Sequence, residues 1–173
     1  MSRIYLIGYM GAGKSLIGKE LAKRIQWSYV DLDQYIEERL DIPISKIFDI
    51  YGENEFRTVE SSALNNIKNS KLVVIATGGG TPCFNKNMPL MNKTGMTIYL
   101  KVGPGTLVNR LIKDQSDRPL IRNLEQNDLS KFITKNLEER EKYYLKSSLI
   151  IDGDQQPENI LNEIYYRLNM KTY

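Results

Sequence analysis

The sequence has no histidine and only one cysteine. Without histidine there can be no Ser-His-Asp relay, and most zinc sites are excluded. Any proton transfer must fall to carboxylates, lysine, tyrosine or water. Cys83 has no partner for an internal disulfide, so it reads as a small packing residue in a reducing compartment. No apolar run approaches the roughly 18–20 residues that span a bilayer. Residues 1–7 are too short before the first glycine to serve as a signal-peptide core, so a cytoplasmic location and no membrane partner are expected. An excess of one charge is also lacking: 24 Lys and Arg stand against 21 Asp and Glu, intermixed along the chain. That balance argues against a nucleic-acid surface and leaves room for a local anion pocket.

A chain of 173 residues suffices for one domain with a real core. Short apolar runs alternate with longer amphipathic stretches, the pattern of an α/β domain with a parallel sheet. Strands are expected at residues 3–7, 28–31, 72–76, 96–101 and 148–151. Helices are expected at 14–25, 33–40, 53–67, 104–112, 125–145 and 157–169. No repeat or linker divides the chain, so a single domain covers residues 1–173, with helices on both faces of a five-stranded sheet. The polar stretch 113–123 between two helices reads as a flap.

Gly8-Tyr9-Met10-Gly11-Ala12-Gly13-Lys14-Ser15 matches the phosphate-loop pattern G-x-x-x-x-G-K-[ST] at every defined position. It also has the right context, an apolar strand before it and an amphipathic helix after it. Glycines let backbone N–H groups curl toward phosphate oxygens, and the helix adds its positive end. Lys14 reaches the β/γ-phosphates, and the Ser15 hydroxyl can ligate Mg²⁺. A switch GTPase would need a base-reading Asn-Lys-x-Asp segment. Asn85-Lys86-Asn87-Met88 and Asn92-Lys93-Thr94-Gly95 both lack the Asp. The usual metal-holding acid after a later strand is missing too, since residues 72–76 run into Thr77-Gly78-Gly79-Gly80. Transfer chemistry on a small acceptor fits better than a motor or a switch.

Asp31-Leu32-Asp33 ends the second strand, on the edge of a parallel sheet where ligands bind. A carboxylate pair there can serve Mg²⁺ and an attacking hydroxyl, or Asp33 can simply cap the helix that follows. Arg57 and Glu60, at i and i+3, form either a solvated ion pair or an arginine held ready to grip a carboxylate. Arg140 poses the same question in an ordinary charged helix. Three glycines directly after a buried strand suggest close approach of backbone to a ligand. Arg118, before a proline in the flap, could act as an arginine finger in cis.

In this order, Gly8 to Ser15, Asp31-Leu32-Asp33, Gly52-Glu53-x-x-Phe56-Arg57-x-x-Glu60, Thr77 to Gly80, Arg118-Pro119-Leu120 and Arg140-x-x-Tyr143 resemble the shikimate kinases, small P-loop kinases of aromatic amino-acid biosynthesis. The likeness spans essentially the whole chain. It implies a three-layer α/β/α sandwich with strand order 2-3-1-4-5, a substrate-binding helical region near 33–66 and a lid near 113–124. The implied reaction is transfer of the ATP γ-phosphate to the 3-hydroxyl of shikimate, with Mg²⁺, by a monomer. The resemblance makes Lys14, Asp33 and Arg118 catalytic, with Asp33 as base for the attacked hydroxyl. ATP would lie on Gly11, Ala12, Gly13, Lys14, Ser15, Leu16, Arg110, Arg118 and Gln155. Shikimate would meet Asp33, Arg57, Gly79, Gly80 and Arg140, and Ser15 with Asp31 would hold the metal. The rivals are a gluconate or nucleoside-monophosphate kinase of the same fold, and a non-catalytic ligand sensor.

Overall fold

A computed structural model describes residues 2–113, 120–122 and 124–170. Five strands, β1 (Arg3–Ile7), β2 (Ser28–Asp31), β3 (Val73–Ala76), β4 (Met96–Lys101) and β5 (Leu149–Asp152), form one wholly parallel sheet in the order β2-β3-β1-β4-β5. Ile4, Tyr5, Leu6 and Ile7 are all fully buried. Successive strand residues face opposite sides of a sheet, so such a run has both faces covered.

The cover comes from α1 (Lys14–Arg24), α2 (Leu32–Leu40), α3 (Ile44–Ile67), α4 (Asn87–Thr94), α5 (Pro104–Leu111), α6 (Gln126–Tyr144) and α7 (Pro157–Met170). Helix α1 packs on β2 and β3 beside α7, α4 packs on β4, and α5 lies against α6. No helix among the described residues is long and apolar enough to cross a membrane. The half-buried Cys83 thiol is pushed up to about 11 by burial, in keeping with a packing role.

The five strands and their order agree with the sequence reading. The helices differ from it in two places. Helix α4 was not expected: Pro89 lies inside it and Lys86, in left-handed conformation, precedes it. The helical stretch 44–51 at the front of α3 was not expected either; Gly52, at φ 79° and ψ 175°, is non-helical and breaks α3 in two, so its second half starts after Gly52, at residue 53, as the sequence reading has it. An L side chain rarely adopts that conformation, so the glycine joins the two halves at an angle. The first half is entered through Pro43, and the Glu37 carboxylate accepts a hydrogen bond from the Ile44 N–H at 2.8 Å.

This topology places the site. Leu6 and Asp31 both stand beside Ala76, so β1, β2 and β3 end level at one edge of the sheet. The connections leaving β1 and β3 run in opposite directions, and their loops part over that edge to leave a crevice.

Candidate active site

The crevice is a cavity of about 1100 Å³. Its walls include Gly11, Gly13, Lys14, Ser15, Leu16, Asp31, Asp33, Arg57, Gly79, Gly80, Arg110 and Arg140, gathered from six elements and their loops. Two expected nucleotide contacts lie outside those walls. Ala12 is buried, its N–H bonded to the Tyr9 carbonyl at 3.2 Å, and Gln155 sits half-buried in the β5–α7 loop. Arg118 lies outside the described residues. Leu120 and Arg122 do reach the cavity, and Ile121 between them is fully buried, so residues 120–122 are tied to the core where the sequence reading has a polar stretch.

At one end stands the phosphate loop. Gly13 takes a left-handed conformation at φ 89° and starts α1 without a side-chain cap or an acid in the first turn. Helix N–H groups and the positive end of the dipole are thus presented to an anion, with no carboxylate competing for them. The ammonium of the buried Lys14 donates to the Gly8 and Tyr9 carbonyls at 3.0 and 2.9 Å, held within the same loop. Arg110 donates to Gly11 O at 3.1 Å and to Gly153 O at 3.4 Å, tying the loop to the β5–α7 turn.

The aspartates divide their work. Asp31, not Asp33, caps α2, accepting from the N–H of Asp33 at 3.1 Å. Its other oxygen accepts from the Ser15 hydroxyl at 2.7 Å and from Tyr29 at 3.1 Å. Asp33 is thereby freed from local duty. It lies in the first turn of α2 with Oδ1 buried and unpartnered. Burial raises its pKa, and the carboxylates of Glu60 and Asp31 raise it further. Lys14 and Arg57 only partly offset them, and the value reaches about 6.

Opposite the loop are two buried arginines. Arg57 pairs with Glu60 at 3.0 Å and with Glu53 at 2.9 Å, and Glu60 also accepts from the Thr81 hydroxyl at 2.5 Å. Arg140 lies over the Tyr9 ring at 5.4 Å, with its Nη1 buried and unpartnered. Sequence alone favours a solvated reading for both, because ion-pair spacing on a charged helix is common; burial overturns it. The tyrosine that serves the site is Tyr144, whose hydroxyl donates to Gly79 O at 2.6 Å. Tyr143, named in the motif, instead faces Lys142 and Lys146.

The three glycines come close first to the protein's own groups. A Cβ on Gly78 would lie 2.6 Å from Glu60 Oε1 and 3.0 Å from Asp33 Oδ1. One on Gly79 would lie 3.0 Å from the Met10 backbone N, and one on Gly80 2.4 Å from Arg57 Nη2. The triplet lets β3's loop slide between the phosphate loop and α3.

The buried side-chain polar atoms without a partner, among the described residues, are Asp33 Oδ1, Arg140 Nη1 and Tyr9 Oη. An unmade buried hydrogen bond is costly. The first two belong to residues lining the same cavity, so a polyhydroxylated acid offered there would meet an acceptor for its hydroxyls and a donor for its carboxylate.

The model of the family described as "Shikimate kinase" matches residues 10–169. The chain is 43% identical to a shikimate kinase of Parabacteroides distasonis over 155 residues, 90% of either protein. It superposes on the crystal structure of shikimate kinase from Bacteroides thetaiotaomicron with a TM-score of 0.92 at 38% identity, covering 97% of this chain and 98% of that one. A shikimate kinase from Acinetobacter baumannii, solved in complex with shikimate, also gives 0.92, at 29% identity over 99% of this chain and 94% of that one. Fold, cavity and likeness agree: the chain belongs to the shikimate kinase family.

Proposed function

We propose that this chain transfers the γ-phosphoryl group of ATP to the 3-hydroxyl of shikimate, and that the two substrates meet between Lys14 and Asp33. The observation that carries the reading is the pairing, in one cavity, of an open phosphate loop with the unpartnered Asp33 Oδ1 and Arg140 Nη1.

ATP phosphates lie along the start of α1, where Lys14 exchanges its loop carbonyls for β/γ-oxygens and holds the charge that moves during transfer. Arg110, already bridging Gly11 and Gly153, borders the nucleoside side. Ser15 Oγ and Asp31 Oδ2, 2.7 Å apart, are oxygen donors of the kind Mg²⁺ accepts while keeping waters and phosphates as its other ligands. Mg²⁺ bound with ATP would neutralise phosphate charge; Ser15 would hold it directly and Asp31 through water. Arg57 and Arg140 grip the shikimate carboxylate, a charge-assisted arrangement that orients the ring. Backbone of Gly79 and Gly80 borders the ring, and Asp33 accepts the hydrogen bond of the attacking hydroxyl. Above about pH 6 Asp33 is ionised and can take that proton as the oxygen–phosphorus bond forms. Arg118 takes the part of an arginine finger on sequence grounds. We read the working unit as a monomer.

ADP release, measured with ATP–Mg²⁺ and a panel of shikimate, gluconate and AMP, tests the reading. Release dependent on shikimate is expected; release only with AMP or gluconate would replace it with one of the rival kinases.

A further inference from the structure

Arg57 has neighbours on several sides. The Phe84 and Phe56 rings lie 4.5 and 5.1 Å from its guanidinium carbon, and the Gly80 backbone closes against it. Glu60, fully buried and fixed by Thr81, takes a hydrogen from Nη1 at 3.0 Å. On the opposite edge a single oxygen of Glu53, Oε1, accepts from both Nε at 3.2 Å and Nη2 at 2.9 Å. Glu53 is 40% exposed, and an ion pair of that exposure contributes little to stability. Its consequence is instead a choice of donors. With Nε and one hydrogen on each Nη occupied, one hydrogen remains on each Nη, and these can take a second carboxylate end-on.

We propose that Glu53 is a positioning residue for substrate binding: it occupies the side edge of Arg57 and leaves the terminal pair for the carboxylate of the acceptor. The inference rests on the reading of Arg57 as the carboxylate grip. It places Glu53, the first residue after the bend at Gly52, among the groups that set acceptor affinity without touching the acceptor. Two properties of Glu53 oppose one another. Its acceptor geometry steers the guanidinium, while its negative charge repels the incoming carboxylate. Geometry dominates, because Nε and Nη2 would otherwise be free to rotate the fork toward the acceptor in a different pose.

Glu53→Ala and Glu53→Gln separate the two. Initial rates are measured against shikimate at saturating ATP–Mg²⁺, and against ATP at saturating shikimate. For Glu53→Ala the KM for shikimate is expected to rise about tenfold, with kcat and the KM for ATP within about twofold of the parent. Glu53→Gln keeps an oxygen that accepts the same two bonds, so its KM for shikimate is expected to stay at or below the parent value. A parent-like KM in Glu53→Ala would overturn the proposal, as would a KM in Glu53→Gln raised as far as in Glu53→Ala, or a loss confined to kcat. If the parent chain turns over no shikimate, the functional reading fails and this inference with it. An active parent with insensitive Glu53 variants removes this inference alone.

Discussion

Asp33 is where stability and activity oppose each other most directly. Its folded pKa is raised from 3.8 to about 6, so the folded protein holds that proton more tightly than the unfolded chain does. Stability therefore falls as pH rises through that window, and the cost of the buried charge is fully present above about pH 6. At about 1.4 kcal/mol per unit, the penalty is at most about 3 kcal/mol. Asp33→Asn removes the ionisation, and urea unfolding at pH 7.5 should show a more stable protein whose stability no longer declines between pH 4 and 6. The same variant should lose at least a hundredfold in kcat, by losing the hydroxyl's acceptor and base. In the parent, kcat/KM for shikimate should fall about tenfold per pH unit below about 6. A variant that turns over normally would remove Asp33 from the mechanism. Little of this was readable from sequence. The spacing Asp31-Leu32-Asp33 left capping and chemistry open for Asp33. The structure divides them by giving the cap to Asp31. Arg140 was still harder to read, since nothing in Glu138-Glu139-Arg140-Glu141-Lys142 marks one charge of that helix as buried.

Elements bring these residues together, and their boundaries explain what the sequence concealed. The phosphate loop and five strands were legible because each is a local pattern, a glycine spacing or an apolar run between polar turns. Helix α4 was not, because Pro89 and a polar composition hide a helix that packs on β4. A glycine before Glu53 reads correctly as a helix start, since Gly52 is non-helical, but it gives no sign that residues 44–51 before it are helical too. The glycine triplet was legible as a place of close approach, although the neighbours it approaches are Glu60, Asp33, Met10 and Arg57 of the protein itself. Gly80→Ala tests that account. The added methyl would overlap the guanidinium of Arg57, which the fully buried Glu60 holds and cannot release cheaply. The KM for shikimate should rise at least tenfold, with the KM for ATP nearly unchanged. Gly105→Ala is the control, because a Cβ there meets nothing within 4 Å. In helix α5 it should leave kinetics alone and stabilise by about 0.5–1 kcal/mol in urea unfolding. Equal kinetic effects from the two substitutions would contradict the packing argument.

At the scale of the whole molecule, a parallel sheet with level strand ends brings a phosphate loop after β1, a carboxylate pair after β2 and a glycine triplet after β3 to a single edge. Helices α3 and α6 then deliver one arginine each to the far wall. The sequence order of these motifs suffices to suggest the family, whereas convergence of distant side chains and their burial become visible only in three dimensions. The central claim is that this convergence directs one phosphoryl group to one hydroxyl. Phosphorus–proton correlation NMR of the product formed from ATP–Mg²⁺ and shikimate tests it most directly. The account predicts a single phosphate monoester coupled to the proton on C3, with ADP in equal amount. Phosphate on another hydroxyl, or ADP formed without a phosphorylated acid, would contradict it.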